Sequence, residues 1–239
     1  MLLKSDRHTP SDIETWKELE AADLVHGQTM LHKIIKAIED IRLFCREDCY
    51  VATSWGKDSM AMMFLVAMAQ VDVPVVFIRQ VGLMEDPYQL DVQNAFEKQF
   101  SVLTHVIEVE LVPYATDGRS PGLEEGIKIA RSRFGRRYIS GIRADESAIR
   151  RLASFRLKSS CWPLKHWTAK DVFGLIAKER LPLHPSYAMT GGGRWDREQI
   201  RVSIIGGNKG LGAGRREWEQ EYYPDILNRI KNAASKSNR

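Results

Sequence analysis

Apolar residues along this chain change their spacing from one short stretch to the next, and that change predicts the elements. Leu31, Ile34, Ile35, Ile38 and Ile41 recur at helical spacing, so residues 28–44 read as an amphipathic helix packed on a core. A strand-like run follows over 49–53, then the polar loop 54–59, then an apolar helix from Met60 to about residue 70. The pattern continues with a buried strand over 73–78, a helix over 87–100 opened by Asp86 and Pro87, and a strand over 102–109. Residues 123–134 read as a helix ended by Gly135, and 137–142 as a strand. Beyond them Thr168 caps a helix to about residue 180, while 182–214 is rich in glycine and proline with little periodicity. Residues 215–231 read as helical apart from Pro224.

Strands alternating with helices over short connections define an α/β class: a mostly parallel twisted sheet, helices on both faces, right-handed crossovers. Ligands of such sheets bind beyond the carboxyl ends of the strands. The loops 54–59, 79–86 and 142–150 each follow a strand, so they are expected to converge on one crevice. The chain divides into an N-terminal extension (1–27), the α/β domain (28–188) and a Gly-rich, lid-like loop with a terminal helix (189–239). That irregular stretch admits two readings, a lid closing over a ligand through Arg194, Arg201, Lys209 and Arg215, or a flexible loop with no ligand.

Composition narrows the class further. With 44% hydrophobic and 28% charged among 239 residues, disordered and fibrous readings are excluded. The three cysteines, Cys45, Cys49 and Cys161, are odd in number and include no CxxC, which leaves neither a disulfide framework nor a four-thiolate iron-sulfur or zinc site. They fit a reducing cytoplasm. The first ten residues turn polar at the fourth, and the longest apolar run, 60–69, is half the roughly 20 residues of a membrane span, so neither an export leader nor a membrane segment is expected. The net charge of +4 is modest, but nine basic residues fall between Arg131 and Lys158 against Asp145 and Glu146. That cluster is either a solvated face or an anion-binding surface.

The chemistry concentrates in Ser54-Trp55-Gly56-Lys57-Asp58-Ser59. A glycine admits backbone amides to an anion, the following helix points its positive end at it, and hydroxyls and a lysine add donors. It is not a Walker A loop, because Asp58 separates the lysine from the hydroxyl residue. The same residues could instead form an N-cap through Ser54 or Asp58. His184 before Pro185 reads either as a general acid or phosphate ligand or as a turn residue, and Cys45 with Cys49 either as buried small side chains or as two thiolates that meet a metal.

This loop resembles the SGGKDS signature of the PP-loop superfamily of ATP pyrophosphatases and phosphoadenosine phosphosulfate (PAPS) reductases. The reductase-like branch is the better match. Residues 141–150 (GIRADESAIR) resemble its G-x-R-x-x-E-S-x-x-R element, 163–172 its PL-x-x-W-x-x-x-DV segment and 181–187 its LP-x-HP-x-Y segment. The resemblance covers about residues 48–190. It implies an adenine nucleotide alpha-hydrolase-like fold and a site for ATP or PAPS formed by Ser54, Trp55, Gly56, Lys57, Asp58, Ser59, Gly82, Arg143, Glu146 and Arg150. Lys57 and Asp58 would be catalytic, Asp58 the candidate carboxylate for magnesium, and a homodimer the expected assembly. The acceptor class it leaves open includes nucleic acid and a partner protein.

Three departures from the pattern carry weight. Trp55 stands where the family has the first glycine of a doublet, and Gln80-Val81-Gly82 stands where DTG is common. No cysteine follows Cys161, so the late cysteine nucleophile of the sulfonucleotide reductases and the cysteine pairs of their iron-sulfur relatives are missing. The expected activity is therefore ATP pyrophosphatase chemistry, in which an acceptor attacks the α-phosphate and pyrophosphate leaves. The alternatives are reduction of PAPS or adenylyl sulfate by Cys161 or an external thiol, and a non-catalytic regulatory module that binds nucleotide or nucleic acid.

Overall fold

A computed structural model describes residues 1–111, 120–146, 148–152, 156–202, 204–206 and 214–237. A short strand, β1 (Tyr50–Thr53), follows the helices α1 (Pro10–Gly27) and α2 (Leu31–Phe44). Then come α3 (Lys57–Ala69), β2 (Val75–Val81), α4 (Gln89–Phe100), β3 (Thr104–Glu110), α5 (Pro121–Phe134) and β4 (Tyr138–Ser140). The remainder contains α6 (Ala148–Leu152), β5 (Arg156–Leu157), β6 (Ser160–Cys161), α7 (Ala169–Lys178), α8 (Arg215–Tyr222) and α9 (Pro224–Ser237).

The strands form one sheet in the order β3-β2-β1-β4-β6-β5, parallel throughout except for the antiparallel β5–β6 pair. The expected α/β architecture is therefore what the chain adopts. From β1 the chain winds outward through β2 to β3, then returns across the sheet to β4 on the other side of β1. Right-handed crossovers put the helices of the two directions on opposite faces. Alternate side chains show it: Val51, Val75, Phe77, Ile139 and Cys161 enter the large core with α2, α3 and α7, while Tyr50, Val76, Ile107 and Val109 form a smaller one with Ala130 of α5. The reversal at β1 and β4 is a topological switch point, where such sheets leave a crevice.

The expected terminal helix over 215–231 is two helices, because Pro224 cannot continue α8 and opens α9 instead. α1 occupies the N-terminal stretch and buries Asp12, Trp16, Asp23 and Gly27. Asp12 is completely buried and its Oδ1 accepts the amides of Thr190 (3.0 Å), Gly191 (2.8 Å) and Gly192 (3.4 Å) and the Tyr222 hydroxyl (2.9 Å). The start of the glycine-rich stretch is therefore fastened to α1.

A second carboxylate ties α1 and α2 to α7. Asp171, in the capping box with Thr168 at the start of α7, accepts from Lys33 Nζ at 2.6 Å and lies 2.9 Å from His26 Nε2. Burial alone would raise its pKa, but Lys33, the Thr168 amide and hydroxyl and His26 outweigh it and hold the group at about 2, against 3.8 in a free chain. A depressed carboxylate stabilises the fold fully above its unfolded value and loses that contribution as pH falls towards its folded value. The urea midpoint should therefore fall between pH 4 and pH 2 in the wild type. Asp171→Asn should start lower at pH 7, by on the order of 1–2 kcal/mol, and fall less across that window. Parallel acid profiles would show that the carboxylate contributes nothing.

Candidate functional site

Strand β1 ends at Thr53 and the chain must turn into α3 within three residues. Trp55 makes the turn with a φ of 58°, in the left-handed region that costs a residue with a Cβ about 1–2 kcal/mol. Its indole is fully buried, 6.3 Å from the ring of Phe77 and 5.8 Å from that of Phe96. Burying a tryptophan is worth more than the turn costs, so the chain keeps at Trp55 the backbone conformation that a glycine would take freely. Trp55 thus shapes the loop from behind, and its side chain belongs to the core.

The N-cap alternative does not hold. Gly56 is the N-cap of α3 and no side chain caps the helix. Ser54 instead engages Ser59, its amide donating to Ser59 Oγ at 3.1 Å and its Oγ lying 2.9 Å from the same atom. The Lys57 amide donates to the Tyr187 hydroxyl at 3.0 Å. A side chain at Gly56 would put its Cβ 3.3 Å from that hydroxyl. Burial first, then Asp58, pushes the Tyr187 pKa up, so the hydroxyl keeps its proton and remains a donor.

Asp58 joins the loop to β4. Its Oδ2 accepts from the buried Lys57 Nζ at 2.9 Å and its Oδ1 from the buried Arg143 Nε at 2.5 Å, while Arg143 Nη1 reaches Asp145 Oδ2 at 2.5 Å. Gly141 permits the approach, since a Cβ there would stand 2.8 Å from the Asp58 carbonyl group. This network engages two residues expected to meet the nucleotide. Two carboxylates hold Arg143, and both oxygens of Asp58 accept from cations. No group of three His, Cys, Asp or Glu suited to a metal occurs among the described residues.

A cavity of about 530 Å³ lies in front of this network, on the α5 face of the sheet at the switch point. Its floor is the row Tyr50, Ala52, Tyr138 and Ser140, paired across β1 and β4 as Tyr50↔Tyr138 and Ala52↔Ser140. Val76, Ile78, Leu123 and Ile127 add an apolar side wall, and Ser54, Gly56, Lys57, Asp58 and Ser59 close the carboxyl end. Among the described residues, Lys57, Arg131, Arg150 and Arg201 line the cavity against one carboxylate, Asp58. Burial, then the nearby Arg201 guanidinium, push Arg150 below the ordinary arginine range; Asp58 pulls the other way and Arg143 adds to the depression. Crowded guanidiniums of this kind are relieved by a bound anion.

The structure thus brings Ser54, Gly56, Lys57, Asp58, Ser59 and Arg150 together and leaves other expected residues outside. Gly82 lies beyond β2 among Arg79, Glu85 and Asp86 and does not line the cavity. Glu146 contributes backbone to a 3-10 turn, Ala144–Glu146, while its side chain, Ser147 and Lys209 lie outside the described residues. Of the cations assigned to a lid, Arg201 alone among the described residues lines the cavity; Arg194 pairs with Glu221 and Arg215 with Glu219. His184 is a buried turn residue: Nδ1 accepts the Ser186 amide at 3.2 Å and Nε2 lies 2.7 Å from Asp86. Cys161 pairs with Ile139 and shares its face, opposite the cavity floor.

Three contributors were not singled out from sequence as site residues. Arg131 was one charge in a cluster and Tyr187 only a motif position. Ser140 lines the cavity, and its Oγ is buried without a hydrogen-bond partner. The signal for it was its place two residues after Tyr138, on the same face of β4.

The fold is that of an open, doubly wound α/β protein, with a crevice at its switch point that several cations line. No protein-family model and no curated protein matches the chain. Among solved structures it is similar to phosphoadenylyl-sulfate (PAPS) reductase from Candida auris in its phosphate complex, with 16% identity over 66% of this chain and 85% of that one and a TM-score of 0.48. So distant a likeness assigns no residue and no reaction. No helix among the described residues is long and apolar enough to cross a membrane.

The left-handed turn makes an unusual order of stabilities. Trp55→Ala should cost about 3–5 kcal/mol through loss of the buried indole. Trp55→Gly loses the same contacts but relieves the turn, so it should be more stable than Trp55→Ala by roughly 0.5–1 kcal/mol, the reverse of the usual preference. Urea unfolding of the two variants reads this difference, and an alanine variant more stable than the glycine one would show that the turn carries no strain.

Proposed function

We propose that the cavity binds ATP, or a related adenine nucleotide, with its phosphates on the loop 54–59 and its base along the apolar wall of β1, β2 and α5. The observation that carries this reading is one cavity that joins a loop end bearing Lys57, Arg150 and Arg201 to an apolar wall along the sheet, with Arg131 at the far end beside Tyr50. β1 rises about 3.3 Å per residue, so the floor from Tyr50 to Ser54 spans roughly 13 Å, the scale of a nucleotide.

For the reaction we favour attack by an acceptor oxygen on the α-phosphate. The new P–O bond forms as the bond to the β-phosphate oxygen breaks, leaving adenylated acceptor and pyrophosphate. Lys57 and the first turn of α3 stabilise the negative charge gathering on the leaving pyrophosphate. Arg150 and Arg201 hold phosphate oxygens, Tyr187 donates its hydroxyl proton in a hydrogen bond, and Asp58 keeps Lys57 and Arg143 in place. Magnesium enters with the nucleotide as part of the substrate, since the protein's own donors do not fit it. Exposed Arg133, Arg136 and Arg151 favour an acceptor with negative charge; nucleic acid and an acidic partner protein both meet that description.

Reduction of PAPS or adenylyl sulfate is the weaker reading, because Cys161 faces the opposite side of the sheet and the described cavity wall contains no thiol. It would require a thiol from another molecule. Calorimetric titration of magnesium ATP and, separately, of PAPS separates the two. ATP should bind, and Lys57→Ala, Arg150→Ala and Arg201→Ala should each weaken it about ten- to hundredfold, the loss expected for one charge-assisted contact. Unchanged affinity in all three variants would remove the site. Preference for PAPS, with sulfite released on addition of a thiol, would put reduction first, and tight binding of ATP with neither pyrophosphate nor sulfite formed would leave a regulatory module.

A further inference from the structure

On the side of the sheet away from the cavity, α2 hands over to β1 through a short turn with a cysteine at each end. Cys45 is the C-cap of α2, its amide making the last helical bond to Ile41 O at 2.9 Å, and Cys49 immediately precedes β1. Between them Arg46, Glu47 and Asp48 are exposed. The two Sγ atoms are 3.6 Å apart and both cysteines are reduced. Cys45 is half-buried and opens the pair to solvent, whereas Cys49 is buried.

The surroundings favour a thiolate. Arg137 stacks on the Phe44 ring, its guanidinium carbon 4.1 Å from the ring centre, and donates to the carbonyls of Phe44 and Lys158. Its buried Nε has no hydrogen-bond partner. The hydrogen bond shared with Cys45 holds Cys49 below the usual thiol range against burial; Arg137, itself 3.5 Å from a Glu47 oxygen, adds to the depression and Asp48 opposes it. Cys45 is pushed up by the same bond and by burial, since a second thiolate beside the first is opposed. A metal is disfavoured by the donor set, as no group of three metal ligands forms among the described residues.

We propose that Cys45 and Cys49 are a redox-responsive dithiol that closes to a disulfide when the protein meets a peroxide. The thiolate attacks one peroxide oxygen: an S–O bond forms, the O–O bond breaks, and the departing hydroxide takes the proton of the neighbouring thiol and leaves as water. The second sulfur then attacks the sulfenic sulfur, the S–S bond forms, the S–O bond breaks and the sulfenic oxygen, protonated, leaves as a second water. Two thiols and one hydrogen peroxide give one disulfide and two waters, with two electrons passing from the sulfurs to the peroxide. The turn permits closure because Cys49 lies outside the helix, so the sulfurs can approach without breaking a helical hydrogen bond. The bond staples the turn that leads into the strand carrying loop 54–59.

Trypsin makes the test direct, since Arg46 lies between the cysteines. Digestion places Cys45 in the peptide 43–46, Cys49 in 47–57 and Cys161 in 159–165. After treatment of the full-length protein with hydrogen peroxide in modest excess, non-reducing peptide mapping should show 43–46 joined to 47–57, lighter by two hydrogens than the two peptides together. The link should disappear with dithiothreitol, be absent from Cys49→Ser and persist in Cys161→Ser. Sulfinic acid at either cysteine without a link, no oxidation of either, or a dominant link to 159–165 would overturn the proposal. The wild-type map alone decides, so a variant that fails to fold does not obscure the result.

Discussion

A carboxylate at the first turn of α3 stands between a buried ammonium and a buried guanidinium, and the geometry of the crevice depends on it. Without Asp58 the low-dielectric end of the sheet would hold Lys57 and Arg143 as neighbouring like charges, an arrangement that buried side chains do not sustain. With it, the end of β4 is drawn against the start of α3 closely enough to require a glycine at position 141. The loop, the switch point and the cavity mouth are therefore one construction. The remaining positive charge, on Arg131, Arg150 and Arg201, is spread around the cavity and is not confined to one motif.

How far the chain could be read from its sequence follows from what each segment buries. α2 to α5 and the strands β1 to β4 were legible, apart from shifts of a few residues at their ends, because their buried positions are mostly apolar and keep the period of their element, or, in α3, form a continuous apolar run between a polar loop and a strand. α1 was not recognised as a helix, since Asp12, Asp23 and Gly27 accompany Trp16 on its buried side and give no apolar stripe. β5 and β6, two residues each, are too short to show a period. In the site, Lys57 and its neighbours could be named in advance because a strand, a short polar loop and a helix constrain where those side chains point, and Arg150 because it follows a strand end within a segment that resembles a family motif. Arg143 could not be told apart from them: an arginine at a strand end reads the same whether its fork meets a phosphate or, as here, two carboxylates. Arg201 sits in a stretch without periodicity, and its place in the cavity wall comes from chain packing that only the folded structure expresses.

The sheet also separates two kinds of chemistry. Cationic groups line the face under α5, while all three cysteines belong to the core side under α2 and α3. Residues alternating along β1 and β4 achieve this with single-residue spacing, so that Tyr138 and Ser140 meet the cavity and Ile139 meets Cys161. The cysteines on one face and the cavity cations on the other are kept apart by the thickness of one strand layer.

Trp55 gives the loop a dependence that a glycine would not have created. A glycine doublet would bend by itself and leave the loop indifferent to what lies behind it. Here the bend is held by an indole against Phe77 and Phe96, one on a strand and the other on a helix. Drift in the core is therefore not silent at the surface: a conservative exchange at Phe96, a residue that lines no part of the cavity, would be inherited together with a change in the loop. Positions at the front and the back of Trp55 are bound to vary in concert.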